Sequence, residues 1–215
     1  MFPPCKHGTI WAYVEHVVIE WRSYACKRKA FGSMVRELGI REERELVLER
    51  LLASHETWFD VYRDYEFGGR VFPGYAEFHS HGEQYVLVKR AKLWEVDAFE
   101  YLFFALADDL DQAGLDDLVA FMKEQAITKV HPDPNHMTSY LSLVIIANTV
   151  ADDVKKAARK TRFRKNFALG IRGWADLRLA VLDISDGSVT TNPQGREMKA
   201  TLEANIKVPR EPQAS

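Results

Sequence analysis

Glu77, His79 and His81 stand two residues apart, in a stretch where the apolar Ala76 and Phe78 alternate with them. On a strand, alternate residues share a face. The three side chains would then project together and offer three ligands to a divalent metal, with a fourth position left for water. That is the donor set of a metal-dependent hydrolase. His131, Asp133 and His136, from the run HPDPNH, are loop residues able to join it. The competing expectation is a half-buried strand whose outer face is simply polar.

A second chemistry comes from charge. Between Val154 and Arg172 there are eight cations and no anion, with Phe163 and Phe167 interleaved and Trp174 following. Lys155, Arg159, Arg162, Arg164, Lys165 and Arg172 are the candidate anion-binding residues, because clustered guanidinium and ammonium groups beside aromatic rings track phosphates and stack on bases. Between Glu95 and Asp117 the sign reverses, with eight carboxylates and no Lys or Arg. The chain's formal charge is only −2, so the potential is polarised rather than large. The competing reading is a solvated face whose cations pair with the chain's own carboxylates.

Other candidates are weaker. Asp108, Asp109 and Asp111 could hold a hard cation, but they lack the spacing of a calcium loop. Asp97 and Glu100 border an apolar run, where burial would favour their protonated forms. Asp176 and Arg178 would share a strand face and pair. No phosphate loop, dinucleotide fingerprint, nucleophile elbow or zinc-protease helix is present, and nothing selects a catalytic residue.

The elements that must position these residues follow from length and period. A chain of 215 residues with 47% apolar and 28% charged residues builds a substantial core and is not a disordered polyanion or polycation. Two cysteines make no disulfide framework, and a reducing, cytoplasmic setting is expected. The longest continuous apolar run, Tyr140 to Val150, is too short to span a bilayer. No membrane partner is expected on that ground, and any nucleic-acid or membrane-surface binding has to come from the local basic run.

The spacing of Ile10, Trp11, Val14, Val17, Val18, Trp21 and Tyr24 predicts a first helix. Leu48, Leu52, His55, Phe59 and Tyr62 predict a second, ending before Gly68-Gly69. Tyr75 to His81 reads as a strand, with a turn at Gly82 leading into a strand from Gln84 to Leu93. Ala98 to Ala107 reads as a buried strand, Leu115 to Ile127 as a helix and Tyr140 to Val150 as a central strand. Asp152 to Arg162 reads as a cationic helix capped by Asp152 or Asp153. Asn166 to Ile184 is one strand or two, broken at Gly170 and Gly173. Asp186-Gly187 is a hairpin turn into Ser188 to Thr191, and Asn192-Pro193 opens a last short helix, with Asn192 its cap.

These elements define an α+β fold: a mixed sheet of five or six strands flanked by helices. A helical pair (1–66) packs on the core (67–206), and a tail (207–215) follows. The element order resembles that of restriction-endonuclease-like folds. That family's metal-binding Glu-x-Lys or Asp-x-Lys is absent, since Leu87 precedes Lys89 and Arg90 precedes Lys92 by two. HSHGEQYVL resembles a shortened cupin metal motif, but the single Gly82 before Glu83 is too short a spacer and the flanking helices exclude an all-β barrel.

Three functions follow. The first expected is a non-catalytic binding or regulatory protein whose segment 154–172 takes an anionic partner, either nucleic acid or an acidic protein surface. The alternatives are a hydrolase using a divalent metal at Glu77, His79 and His81, and an oligomerisation module. In the last, Trp11, Trp21 and Trp58 on the N-terminal helices form a self-association face.

Overall fold

The computed structural model describes residues 39, 43–85, 92–134 and 136–206, with the backbone alone for 80–85 and 92–98, and two short strands nearer the start. Contacts divide the chain into a unit of Met1–Leu38 and a unit of Gly39–Ser215. In the first unit, β1 (Tyr13–Val14) pairs antiparallel with β2 (Val17–Val18). Those four residues form strands where a helix is expected. The rest of the expected first helix lies outside the described residues, as does the 207–215 tail.

The second unit runs α1 (residues 43–55), β3 (Asp60–Phe67), β4 (Arg70–Tyr85), β5 (Lys92–Leu110), α2 (Gln112–Glu124) and β6 (His136–Val150). It continues with α3 (Asp152–Lys160), β7 (Arg164–Asn166), β8 (Trp174–Asp183), β9 (Ser188–Thr191) and α4 (Lys199–Ile206). One seven-stranded mixed sheet carries the order β3-β4-β5-β6-β8-β7, with β9 also on β8. This is the expected α+β class, with one or two more strands than expected.

The layers follow from the connections. β5, β6 and β8 are mutually parallel, so α2 and α3 are crossovers stepping the same way along the sheet. Right-handed crossovers then put both helices on one face. There Leu115, Val119 and Met122 of α2 and Val154 and Ala158 of α3 bury against Phe103, Leu141, Leu143, Leu177 and Leu179. On the other face Val47, Leu48, Leu51 and Leu52 of α1 and Leu202 and Ile206 of α4 cover Leu102, Phe104, Val144, Ile146, Ala180 and Leu182. Covered on both sides, β6 is buried without a break from Leu141 to Ala147, which is why its sequence reads as a continuous apolar run.

Three local expectations change. The second helix ends by residue 55 and Asp60–Phe67 is a strand. The deciding signal is Gly68-Gly69, both at positive φ (59° and 74°), a two-residue hairpin that sets Phe67 opposite Arg70. The four-three spacing through Tyr62 has the helical period, and the glycine hairpin overrides it. Gly82 makes no turn. It pairs with Val96 inside β4 and β5, and β4 runs on to Tyr85. Finally, Ala151 occupies the start position of α3 with no side-chain cap, and Asp152 and Asp153 fall in its first turn, where carboxylates still favour the helix dipole.

Candidate anion-binding site

Of the eight cations between Val154 and Arg172, Lys155 turns inward and Arg164 reaches from the surface to a buried carboxylate. Lys155 Nζ lies 2.7 Å from carboxylate oxygens of both Asp183 and Asp186 and donates to Ser188 Oγ at 3.2 Å. Arg164 grips Asp176 with two parallel bonds of 2.7 and 2.6 Å, and its guanidinium lies 5.2 Å from the Trp174 ring centroid. The Asp176 hydrogen bonds raise the Arg164 pKa further. Both candidates are taken up by the chain's own carboxylates, Lys155 buried and Arg164 still exposed, and leave the anion-binding set. The partners come from β8 and the β8–β9 hairpin. The described carboxylates of the acidic stretch look elsewhere: Asp108 to Arg44, Asp117 to Arg70, Asp111 to the start of α2, Glu100 to Arg178.

The remaining candidates Arg159, Arg162, Lys165 and Arg172 are exposed and paired with no carboxylate among the described residues. Two of them meet cations from later in the chain. Arg159, in the last turn of α3, and Arg162, just beyond it, line a concavity of about 250 Å³ with Thr190 and Thr191 of β9, Pro193, Arg196 and Lys199. Among the described residues no acidic side chain lines it. Arg162 Nη1 donates to the carbonyls of Arg159 (2.8 Å) and Thr161 (2.9 Å), the free acceptors at a helix C-terminus. Arg159 and Arg196 make no such contact among the described residues. Lys199 has only an exposed pair with Glu203 at 3.5 Å, of the kind that contributes about 0.3–0.5 kcal/mol.

One side chain assembles the two halves of this concavity. Asn192 is fully buried. Its Oδ1 accepts from Leu179 N (3.0 Å) and Gly195 N (2.8 Å), and its Nδ2 donates to Leu177 O (2.8 Å) and Thr161 O (3.3 Å). It thereby ties the segment carrying Arg162 to β8 and to the turn carrying Arg196. Gly195 is required there, because a Cβ would sit 2.8 Å from Leu179 O. Asn192 is not the helix cap expected of it: the helical turn begins at Arg196 with Gly195 at the cap position and no side-chain cap, and the bonds of Asn192 serve this junction.

Arg172 belongs to a different feature, the loop of residues 167–173 between β7 and β8, and Lys165 to the strand that leads into it. Ala168, Leu169 and Gly170 all have positive φ (46°, 57° and 91°), which for the two non-glycines costs on the order of 1–3 kcal/mol each. The loop is closed by backbone bonds Phe167 N to Gly173 O, Gly170 N to Phe167 O and Arg172 N to Phe167 O. It is pinned to β6 through His136, whose Nδ1 donates to Arg172 O at 2.7 Å while Nε2 meets Ser139 Oγ at 2.9 Å.

The metal candidates are placed as follows. Glu77 and His79 share a face of β4, and the side chain of His81 lies outside the described residues. Glu77 accepts a 2.5 Å bond from the Tyr75 hydroxyl and lies 3.7 Å from Lys129 Nζ. Lys129 sits within 4.8–5.7 Å of the ring centroids of Tyr65, Phe67, Tyr75 and Tyr101, a cage of cation–π contacts. Burial, then Glu77, pushes the Tyr101 phenol up to about 12 and Tyr75 further. His79 stacks on Phe99 at 4.2 Å. His136 is buried with both ring nitrogens engaged, and His131 is exposed. Among the described residues no three His, Cys, Asp or Glu side chains are grouped to hold a metal.

On the opposite face, Asp176 and Arg178 do not pair with each other. Arg178 reaches Glu100 (3.3 Å) and Glu197 (3.0 Å) and packs 3.4 Å from the Tyr140 ring centroid. Ser142 donates to Glu100 at 2.5 Å. A cleft of about 160 Å³ beside them is lined also by His55, Phe59 and Thr201. Nδ1 of His55 bonds Leu51 O at 2.7 Å.

Sequence reasoning missed Arg196 and Lys199. They flank Glu197 far from the basic run, so no charge cluster marks them. Their place is set by the turn after β9, with the helical turn beginning at Arg196 and not at Asn192-Pro193 as expected. No helix of the described residues is long and apolar enough to cross a membrane. No curated protein and no solved structure matches the chain. A family model does match residues 43–204, the span from α1 into α4 that holds both the sheet and the cationic concavity. On that match the chain belongs to the family described as Domain of unknown function (DUF8052).

Proposed function

We propose that this protein is a non-catalytic binding or regulatory protein that takes an anionic partner, a nucleic acid or an acidic protein surface, in the concavity of Arg159, Arg162, Arg196 and Lys199. The observation that carries this reading is four cations converging on one hollow that no described carboxylate lines. Arg159 and Arg196 have no internal role, among the described residues, that would account for them. Guanidinium forks suit phosphate and carboxylate oxygens, and Thr190 and Thr191 add hydroxyl donors. A pocket of this size accommodates one anionic group of a larger partner rather than a whole macromolecule.

The test is titration of a fluorescently labelled single-stranded oligonucleotide, as a generic polyanion, across a range of salt. Four engaged cations give a slope of log affinity against log salt of about −3. Replacing Arg159→Gln and Arg196→Gln together should lower the slope by about 1.4 and weaken binding roughly ten- to a hundredfold at low salt, with thermal unfolding unchanged. Absence of binding at low ionic strength, or a slope indifferent to the double variant, would sink the reading. Among the described residues nothing favours the metal reading at Glu77, whose carboxylate is taken up by Tyr75 and Lys129. For the self-association reading, Trp58 is 75% exposed, while Trp11 and Trp21 lie outside the described residues.

A further inference from the structure

The loop of residues 167–173 displays Leu169 at 99% exposure and Ile171 at 84%. Single exposed aliphatics are ordinary. Two of them at the tip of a tight loop closed by backbone hydrogen bonds, held out by a strained backbone, are not. Leu169 occupies a left-handed conformation that asparagine or glycine would adopt more readily, so a stable surface loop would carry a different residue there. The loop is also rigidly based: Gly173 (φ 71°) comes so close to β6 that a Cβ would meet Met137 O at 2.1 Å. Beside the loop, Lys165, whose Nζ lies 5.7 Å from the Phe167 ring centroid, and Arg172 are exposed and without a carboxylate partner among the described residues.

We infer that this loop is a surface anchor for an anionic lipid bilayer, with Leu169 and Ile171 entering the headgroup–acyl boundary and Lys165 and Arg172 contacting acidic headgroups. The inference goes beyond the concavity and rests on different residues. Charge complementarity selects an anionic partner, and the side-chain chemistry selects its kind. A single-stranded nucleic acid is met by aromatic platforms, whereas Phe167 is turned against His136 and Trp174 lies under Arg164. A protein partner needs roughly 800 Å² of matching surface per side. A bilayer accepts two protruding aliphatic side chains without any matching surface, and apolar insertion combined with cations is the two-signal arrangement that makes surface binding stable. The expectation of no membrane partner rests on the lack of a spanning segment, which surface docking does not require.

The experiment is flotation of the full chain with unilamellar vesicles of phosphatidylcholine, with or without about 30% phosphatidylserine. Binding is expected to the anionic vesicles alone and to weaken with salt. The loop variant Leu169→Asn with Ile171→Ser should lose about tenfold or more in binding, and Lys165→Gln with Arg172→Gln a similar factor. Circular dichroism melting should not fall in either variant, and Leu169→Asn should melt slightly higher because asparagine relieves the left-handed strain. Arg159→Gln with Arg196→Gln should leave vesicle binding largely intact while weakening oligonucleotide binding as stated above, which separates this anchor from the concavity. The inference is overturned by no vesicle binding at low salt, by equal binding to neutral vesicles, or by wild-type binding of the Leu169/Ile171 variant. It is equally overturned if that variant instead loses affinity for a duplex oligonucleotide, which would make the loop a nucleic-acid wedge.

Discussion

At Lys155 a cation from the basic run has become a structural residue. Its ammonium is mostly shielded from water and lies against Asp183, itself only 4% exposed at the side chain. Asp183 also accepts from Val150 N (3.2 Å) and from the Ser185 amide and hydroxyl. Removing one member of such a pair strands the other, so Asp183→Ala should cost about 3–5 kcal/mol, read as a lower urea midpoint at unchanged slope. Asp186 supplies a pH signature. Partial burial pushes its carboxyl up, but the bonds from Lys155 and Ser188 outweigh this and hold it at about 2, against 3.8 unperturbed. A depressed folded-state value stabilises fully above the unfolded one and is lost on acidification. The Asp186 contribution should therefore fade as pH falls from about 4 to about 2, and acid unfolding of Asp186→Asn should be less steep in that window. Tyr101 acts at the other extreme. With its phenol raised to about 12 from 10.0, the folded state should lose stability as pH rises through that interval, which ultraviolet titration of tyrosinate would show.

At the level of elements, two glycines in one loop do different work. Gly173 packs its backbone against β6 and has φ 71°, whereas Gly170, at φ 91°, has open space, with nothing within 4 Å, where a Cβ would stand. Gly170→Ala should cost only the left-handed penalty, about 1 kcal/mol. Gly173→Ala must also push β6 and the loop apart, and should cost at least about 3 kcal/mol, both measured by denaturant unfolding. The junction of β8, β9 and the segment after α3 depends on Asn192 in the same way. Asn192→Ala leaves buried amides and carbonyls unpaired, at about 1–3 kcal/mol each before relaxation. It should also weaken oligonucleotide binding, because Arg162 and Arg196 lose their shared support.

Across the whole molecule, rigidity and charge are distributed separately. β6 lies at the middle of the sheet with helices on both faces, so its amides and those of the adjoining part of β8 should exchange slowest with deuterium. β3, on the sheet edge, and the three-residue β7 should exchange far sooner. Mass spectrometry of exchanged peptides would check the ranking. An equal rate in β3 and β6 would contradict the layered core. The unpaired cations sit on the outer side of β8, around α3, β7 and the start of α4. Described carboxylates of the acidic stretch lie on β5, two strands away, and on α2, which packs beside α3. The small net charge thus conceals an uneven distribution of sign over the surface.

Much of the sheet was legible from residue periods alone. The apolar run Tyr140–Val150, the alternation at Tyr75–His81 and the Asp186-Gly187 hairpin each follow from local sterics and from which faces meet the core. The cationic segment was legible too, because charge runs survive any fold. Two things could not be read from the chain. Whether a cation is taken up by the chain itself depends on which carboxylate the tertiary structure brings opposite it: Lys155 and Arg164 found partners 31 and 12 residues away, and Arg159 found none among the described residues. The concavity needs Arg196 and Lys199 brought beside Arg159 and Arg162, a meeting decided by the return of β9 along β8 and by the buried Asn192. Local sequence determines backbone propensity and the sign of each charge. Long-range packing decides which charges neutralise one another and which stay open to a partner.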